Sequence, residues 1–390
     1  MMEKYKIIIR CLGIIVICTM IFCLFQGFTN KCANYLKQSF ASNQQSQSSN
    51  QYISILDYGA VVGTSWQNAK DNYIAIQKAI DNNPGRQIFI PKGLYIISKT
   101  LELKNNVSLI GEHRSSTVIK AVNGGALLIK DGGISIRDLF IYGDGGVGIT
   151  VTNARGTSLT DVQLQNVDIG IKLINSWNTK ISNLDITINP NQFPKVAKGL
   201  VLEGQCVNNH LLNSQITATE VGVDINSSKG RSEGLMMSNV LISAAKTGLK
   251  CDGMLSLQLS NCIIDLCENL AFDINNTGGL LVSNCWIASQ GKVNGNAVKL
   301  SSCWDSHFSS NNIKCDRGKS VFLIDKGSNR NVIMNNTIEL VEAKNPIFIL
   351  DKNSSENMIR YNNLKPAKGF KASIANGNLE NSISDNVGLK

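Results

Sequence analysis

From Ile88 onward the chain runs in short stretches of alternating apolar and polar residues, broken by turns rich in Asn, Ser and Gly. Alternation with a period of two marks strands with one buried face, and Asn, Ser and Gly are the residues tight turns demand. The stretches recur in units of roughly 22–26 residues, clearest in LSLQLSNCIIDLCENLAFDIN (255–275) and LLVSNCWIASQGKVNGNAVKLS (280–301). Each unit reads as three strands and three turns, so the chain is predicted to be all-β, a parallel solenoid of about ten or eleven coils. One coil cannot bury its apolar face alone, and stacking supplies the core.

Aligning the units gives a register. The pairs Ile171/Leu173, Leu200/Leu202, Val223/Ile225, Leu249/Cys251, Phe272/Ile274, Val298/Leu300, Val321/Leu323 and Ile347/Ile349 take the same two inward positions of one strand. A second column holds Asp138, Asp161, Asn183, Asn213, Asn239, Asn261, Asn284, Ser310 and Asn335 at a sharp inward-facing bend between the other two strands. Short polar side chains are expected there to satisfy backbone groups and to bond from coil to coil as an asparagine ladder.

Residues 55–121 add a resemblance. ILDYGA (55–60), the helical stretch YIAIQKAIDN (73–82) with Ile74, Ala79 and Ile80 on one side, and IFIPKGLYIISKTLELKNNVSLIGEHRSSTVIKA (88–121), followed by the repeats, resemble the pectin-lyase-like right-handed parallel β-helix family, with its pectate-lyase-like and tailspike-like members. The resemblance spans roughly residues 53–390 and implies a single-stranded right-handed parallel β-helix whose N-terminal helix caps the open end, where unpaired edges would otherwise invite association. It also implies polysaccharide as the partner. The reaction motifs of such families are largely missing: an NTD motif reads Asn178-Thr179-Lys180, no paired Asp-Asp or GHG occurs, only Arg317-Gly318-Lys319 matches RxK, and the WxDH stretch and arginine-proline signature of calcium-type pectate lyases are absent.

The formal charge of +9 changes the picture less than its size suggests. Residues 1–40 hold five basic residues and one acidic, 5 − 1 = +4, leaving +5 for the remainder. With no Lys/Arg-dense block among aromatics, nucleic acid is not an expected partner, whereas an acidic polysaccharide is compatible. Lys4, Lys6 and Arg10 precede the uncharged run Cys11–Phe25, which reads as an export signal retained as a membrane anchor over residues 1–30 or removed as a signal peptide. Residues 31–52 read as a polar tether and 53–390 as one domain outside the cytoplasm. The 11 cysteines show no CxxC, and the three histidines (His113, His210 and His307) show no metal spacing, so buried free thiols and no histidine-bound metal are expected.

Enzymes resembling this fold bind substrate along the outward face of the strand carrying the inward pairs. Its outward row reads Thr150, Lys172, Val201, Asp224, Lys250, Asp273, Lys299, Phe322 and Phe348. With neighbouring rungs about 4.8 Å apart, Asp224 and Asp273 span about 9–10 Å between backbones. One reading is an ion-pair ladder. Another is a groove in which the two carboxylates act as general acid and base on a glycosidic bond. A third is elimination from a uronate, with Lys250 or Lys172 as base and Arg231 or Lys229 on the acid group; calcium would join if Asp224, Glu220 and Asp273 converged. Glu220, Lys299, Trp177 and Trp304 complete the candidate substrate contacts, the tryptophans lying in the turn after the strand. A non-catalytic polysaccharide-binding or structural protein is the alternative.

Overall fold

A computed structural model describes residues 52–389 except 64, 67–68, 188–196, 228–231, 244, 293–294 and 343–344. The anchor over residues 1–30 and all but the last residue of the tether lie outside the described residues. Among the described residues no helix is long and apolar enough to cross a membrane.

The alternating stretches form a parallel β-helix. In one coil the chain runs through His210–Thr217, turns, runs through Val221–Asn226, turns again, and begins the next coil at Met236–Ser243. Met236–Ser243 pairs in parallel with His210–Thr217, and Thr247–Asp252 pairs in parallel with Val221–Asn226. Repetition builds a first sheet of 22 strands and a second of 12. The second sheet holds one strand per coil, so there are twelve rungs rather than ten or eleven, the sequence count having stopped short at the less regular ends. A third line of short parallel bridges runs through the turns, Arg155–Trp177–Val207–Glu233 and then Leu255–Gly278–Trp304–Asn329. The coil between Ile171 and Leu200 is longest, 200 − 171 = 29 residues, because it contains 188–196.

The first sheet is bent at one residue per coil. Asp138, Asp161, Asn183, Asn213, Asn239, Asn261, Asn284, Ser310 and Asn335 all have φ between 49° and 60°. Asn and Asp enter this left-handed region more cheaply than other side chains, since a short polar group bonds locally. These side chains face outward, however, not inward. The following residue enters the core, first as Leu184 and Val240, then as Cys262 and Cys285, then as Asn311, Asn336 and Asn362. Asn311, Asn336, Asn362 and Asn386 form the buried ladder: Asn336 Oδ1 accepts from Asn311 N and Nδ2 at 2.9 and 3.0 Å, and Asn362 Oδ1 accepts likewise from Asn336 at 3.0 Å. A second buried ladder joins Asn331, Asn357 and Asn381. The buried ladder therefore sits one position later than the register predicts, while the predicted column bonds from coil to coil on the outer face, Asn183 to Asp161 and Asn239 to Asn213.

The inward pairs hold through Val298/Leu300. Beyond that Val298 pairs with Phe322 and Lys299 with Leu323, so the inward pairs are Phe322/Ile324 and Phe348/Leu350, not Val321/Leu323 and Ile347/Ile349. Phe322 and Phe348 are fully buried and stack at 5.0 Å, with Phe308 edge-on to Phe322 at 5.5 Å. Val321 and Ile347 remain buried at the preceding position, so the shift exchanges Leu323 and Ile349 on the inner face for two aromatic rings, the larger apolar burial. Room for the rings goes with a change at the preceding position. Earlier coils have glycine there; at Gly222 an added Cβ would lie 2.2 Å from Ile242 Cγ2. Ala271, Ala297 and Val321 take that position in later coils.

Helix α1 (Tyr73–Asp81) forms as expected, but its buried side is Ile76, Ala79 and Ile80, and Ile74 is 76% exposed. Ile74 and Ile76 stand about 200° apart around a helix, so only one can face the core.

Candidate functional site

The second sheet carries a polar outer face. Lys172, Val201, Asp224, Lys250, Asp273 and Lys299 lie on consecutive rungs in strict register, as the sequence predicts. Phe322 and Phe348 do not continue this row, their places being taken by Leu323 and Ile349.

The pairing along the row is not the simple alternation of a ladder. Lys172 Nζ lies 2.9 Å from Glu203 Oε1. Asp224, only 8% exposed, is held by Lys198 Nζ at 2.5 Å rather than by Lys250. Lys299 Nζ stands 3.8 Å from Asp273 Oδ1, the outer limit of an ion pair. Lys250 is exposed and forms no ion pair among the described residues. A cleft of about 220 Å³ brings Lys250, Asp273 and Lys299 together with Asp252, Asn275, Ser301 and Lys326. Its wall is built by the last outward position of each strand, where Asn275 Nδ2 donates to Asp252 Oδ1 at 2.7 Å and Ser301 Oγ to Asp325 Oδ1 at 2.5 Å. Asp224 does not line this cleft.

The remaining predicted residues are dispersed. Glu220 pairs with Lys246 at 2.8 Å in the turn before the strand. Asp224, Asp273 and Glu220 thus each engage a different lysine, and among the described residues no group of three metal-ligating side chains occurs. Arg231 and Lys229 lie outside the described residues. Trp177 and Trp304 belong to the same bridge column but five rungs apart, about 24 Å. Trp177 lies against Arg155, whose guanidinium carbon is 5.8 Å from the ring centroid, and the Trp304 ring covers Gly278 so closely that a Cβ there would sit 2.4 Å from it.

Sequence reasoning missed a groove of about 610 Å³ on the first sheet, lined by Arg114, Asp161, Asn183, Asp185, Gln215 and Asn239, among others. Arg114 Nη1 donates to the Asn183 carbonyl at 3.2 Å, and Asn183 Nδ2 to Asp161 Oδ1 at 3.2 Å. Burial pushes the Asp185 carboxyl above its ordinary value, with the nearby Arg114 charge working against the rise. The alternation around Asp185 announced an outward side chain. It shares the groove with Arg114, distant in sequence, which no periodicity reveals.

The seven described cysteines, Cys206, Cys251, Cys262, Cys267, Cys285, Cys303 and Cys315, are buried and free. Burial pushes the thiols of Cys251, Cys267 and Cys303 up to about 12, so they act as small core residues rather than nucleophiles.

A parallel β-solenoid bearing a lysine- and carboxylate-lined outer face defines a pectate-lyase-like right-handed β-helix protein. Within that class the chain belongs to the rhamnogalacturonase A/epimerase, pectate lyase-like family, whose model matches residues 52–345. No curated protein matches the sequence. Similar solved structures include the Dettilon tailspike protein, with a TM-score of 0.64 at 12% identity, covering 81% of this chain and 68% of that one. The family 28 exopolygalacturonase of Yersinia enterocolitica has a TM-score of 0.59 at 12% identity, covering 84% of this chain and 78% of that one. The A-module of the Azotobacter vinelandii mannuronan C-5 epimerase AlgE4 has a TM-score of 0.52 at 16% identity, covering 85% of this chain and all of the module. At these identities the likeness is one of fold.

Proposed function

We propose that the protein is a carbohydrate-active enzyme that works outside the cytoplasm on a uronate-containing polysaccharide bound along the second sheet. The observation that carries this reading is the cleft in which Lys250, free of ion pairs among the described residues, stands with Asp273, Lys299 and Lys326. Three lysines against Asp252 and Asp273 favour an anionic ligand. Two of the similar structures, an exopolygalacturonase and a mannuronan epimerase, are named for uronate polymers, and the basic flank before Cys11–Phe25 supports export.

The chemistry that suits this set is removal of the proton α to the uronate carboxylate. Lys299 and Lys326 offset the acid group's charge, which acidifies that proton, and Lys250 is the residue placed to accept it. The electron pair forms the new C4–C5 double bond as the C4–O bond, β to the carboxylate, breaks, and the departing oxygen takes its proton from water. Hydrolysis by Asp224 and Asp273 is the second reading, favoured by their positions two rungs apart, about 9–10 Å. The attachment of Asp224 to Lys198, away from the cleft, places it behind the first.

The test incubates the full-length protein with polygalacturonate, alginate and neutral polysaccharides and follows both ultraviolet-absorbing unsaturated products and reducing ends. Unsaturated products are expected from a uronate polymer, with Lys250→Ala slower by about 100-fold or more. Reducing ends without unsaturation, abolished by Asp224→Asn, would establish hydrolysis instead. Binding with neither signal would leave a polysaccharide-binding protein.

A further inference from the structure

The first sheet has an outer row of its own. Register places Asp185, Gln215, Leu241, Ile263 and Trp286 on five successive rungs. The row spans four steps, about 19 Å. Its first part is the floor of the groove described above, lined by Arg114, Asp161 and the outward amides of Asn183, Asn213 and Asn239. Asn239 Nδ2 bonds to Asn213 Oδ1 at 3.1 Å, which orients both amides along the groove. Asp185 Oδ1 has no hydrogen-bond partner among the described residues. The second part is apolar and exposed, Ile263 at 46% and Trp286 at 40%, flanked by Leu281 at 42%.

A polar groove that opens onto an aromatic platform along one straight line matches a saccharide chain, whose hydroxyls take amides and carboxylates while its ring faces take an indole. Charge separates this groove from the cleft on the second sheet. Here two carboxylates, Asp161 and Asp185, stand against the single Arg114, which disfavours a polyanion. An apolar stripe can also seat a second copy of the chain, but the continuity of register from the carboxyl and amide groups to Trp286 favours a ligand bearing both hydroxyls and apolar faces.

We propose that the outer face of the first sheet is a second carbohydrate-binding site, for a neutral saccharide stretch running from Asp185 to Trp286. It is independent of the chemistry assigned to the second sheet.

The experiment titrates full-length protein with neutral hexasaccharides of the malto, cello, laminari and xylo series to about 10 mM, beyond the weak end of specific binding, following tryptophan fluorescence and calorimetry. At least one series is expected to bind. Trp286→Ala should weaken it about tenfold and Trp286→Phe by about twofold or less, since the ring face rather than the indole N–H makes the contact. Gln215→Ala, an exposed change with no bearing on the core, should weaken it about fivefold. Trp286→Ala must also keep the wild-type circular dichroism, which separates lost binding from lost fold. Failure of every series to bind, wild-type affinity in both Trp286→Ala and Gln215→Ala, or a change of sedimentation in Trp286→Ala that marks the face as a contact between copies, would overturn the proposal. None of these outcomes depends on whether uronate polymers are cleaved.

Discussion

Asp185 shows at the scale of one residue how position and environment part company. Its place in the alternation makes it an outward carboxylate, yet it is half-buried, and burial raises its pKa from the ordinary value of 3.8 while the Arg114 charge opposes the rise. A group whose folded pKa is raised contributes stability that is fully present below the unfolded pKa and is lost as pH rises through the folded one, because the unfolded chain then ionises more readily. Asp185→Asn removes that ionisation. The variant should therefore gain in melting temperature over wild type at pH 7 and lose that gain as the pH falls below about 4, where wild type is protonated in both states. Thermal melts by circular dichroism at both pH values check this; a gain that is equal at both would show that ionisation is not the cause.

Single elements are governed by the bend of the first sheet and the ladder beside it. The corners were legible in the sequence as a column of short polar residues, and all nine positions turn out to be left-handed, a conformation Asn and Asp enter more cheaply than most side chains. The ladder was not: in Asn335-Asn336 both residues are asparagine and only the backbone decides which one enters the core, while in the neighbouring coils the corners are Ser310 and Tyr361 and the buried asparagine follows them. The two roles predict different costs. Asn336→Ala leaves the buried Asn311 N–H and amide without their acceptor and the Phe308 carbonyl without a donor, a loss of roughly 2–4 kcal/mol. Asn335→Ala pays only the steric penalty of the left-handed region, about 1 kcal/mol. Urea unfolding of the two variants should place them in that order, and equal losses would remove the distinction between corner and ladder.

Residues 53–390 form one stack in which each coil is the template for the next, so its stability is a chain of neighbour contacts and its ends are its exposed edges. At the first of these ends Ile53–Ser54 pairs with Gln87–Ile90, and α1 buries Ile76, Ala79 and Ile80 in the same core. Removing residues 1–86 would leave the Gln87–Ile90 strand unpaired on that side and its apolar residues open. The truncated protein is expected to aggregate, measured as light scattering during refolding, while a chain beginning at Tyr52 does not. A soluble, monomeric truncated form would show that α1 has no covering role at that end.

Period, turn chemistry and the outward row Lys172–Asp224–Lys250–Asp273–Lys299 could be read from the sequence alone. Each is a local rule, alternation by two or a residue type that one backbone conformation requires, repeated until chance is excluded. The tertiary structure alone decided the slip that buries Phe322 and Phe348, the lysine that holds Asp224, and the groove that Arg114 makes around Asp185. These depend on which side chains from distant or neighbouring coils reach the same few ångströms. That is a competition among packing volumes and charges, and a register of consecutive positions does not contain it.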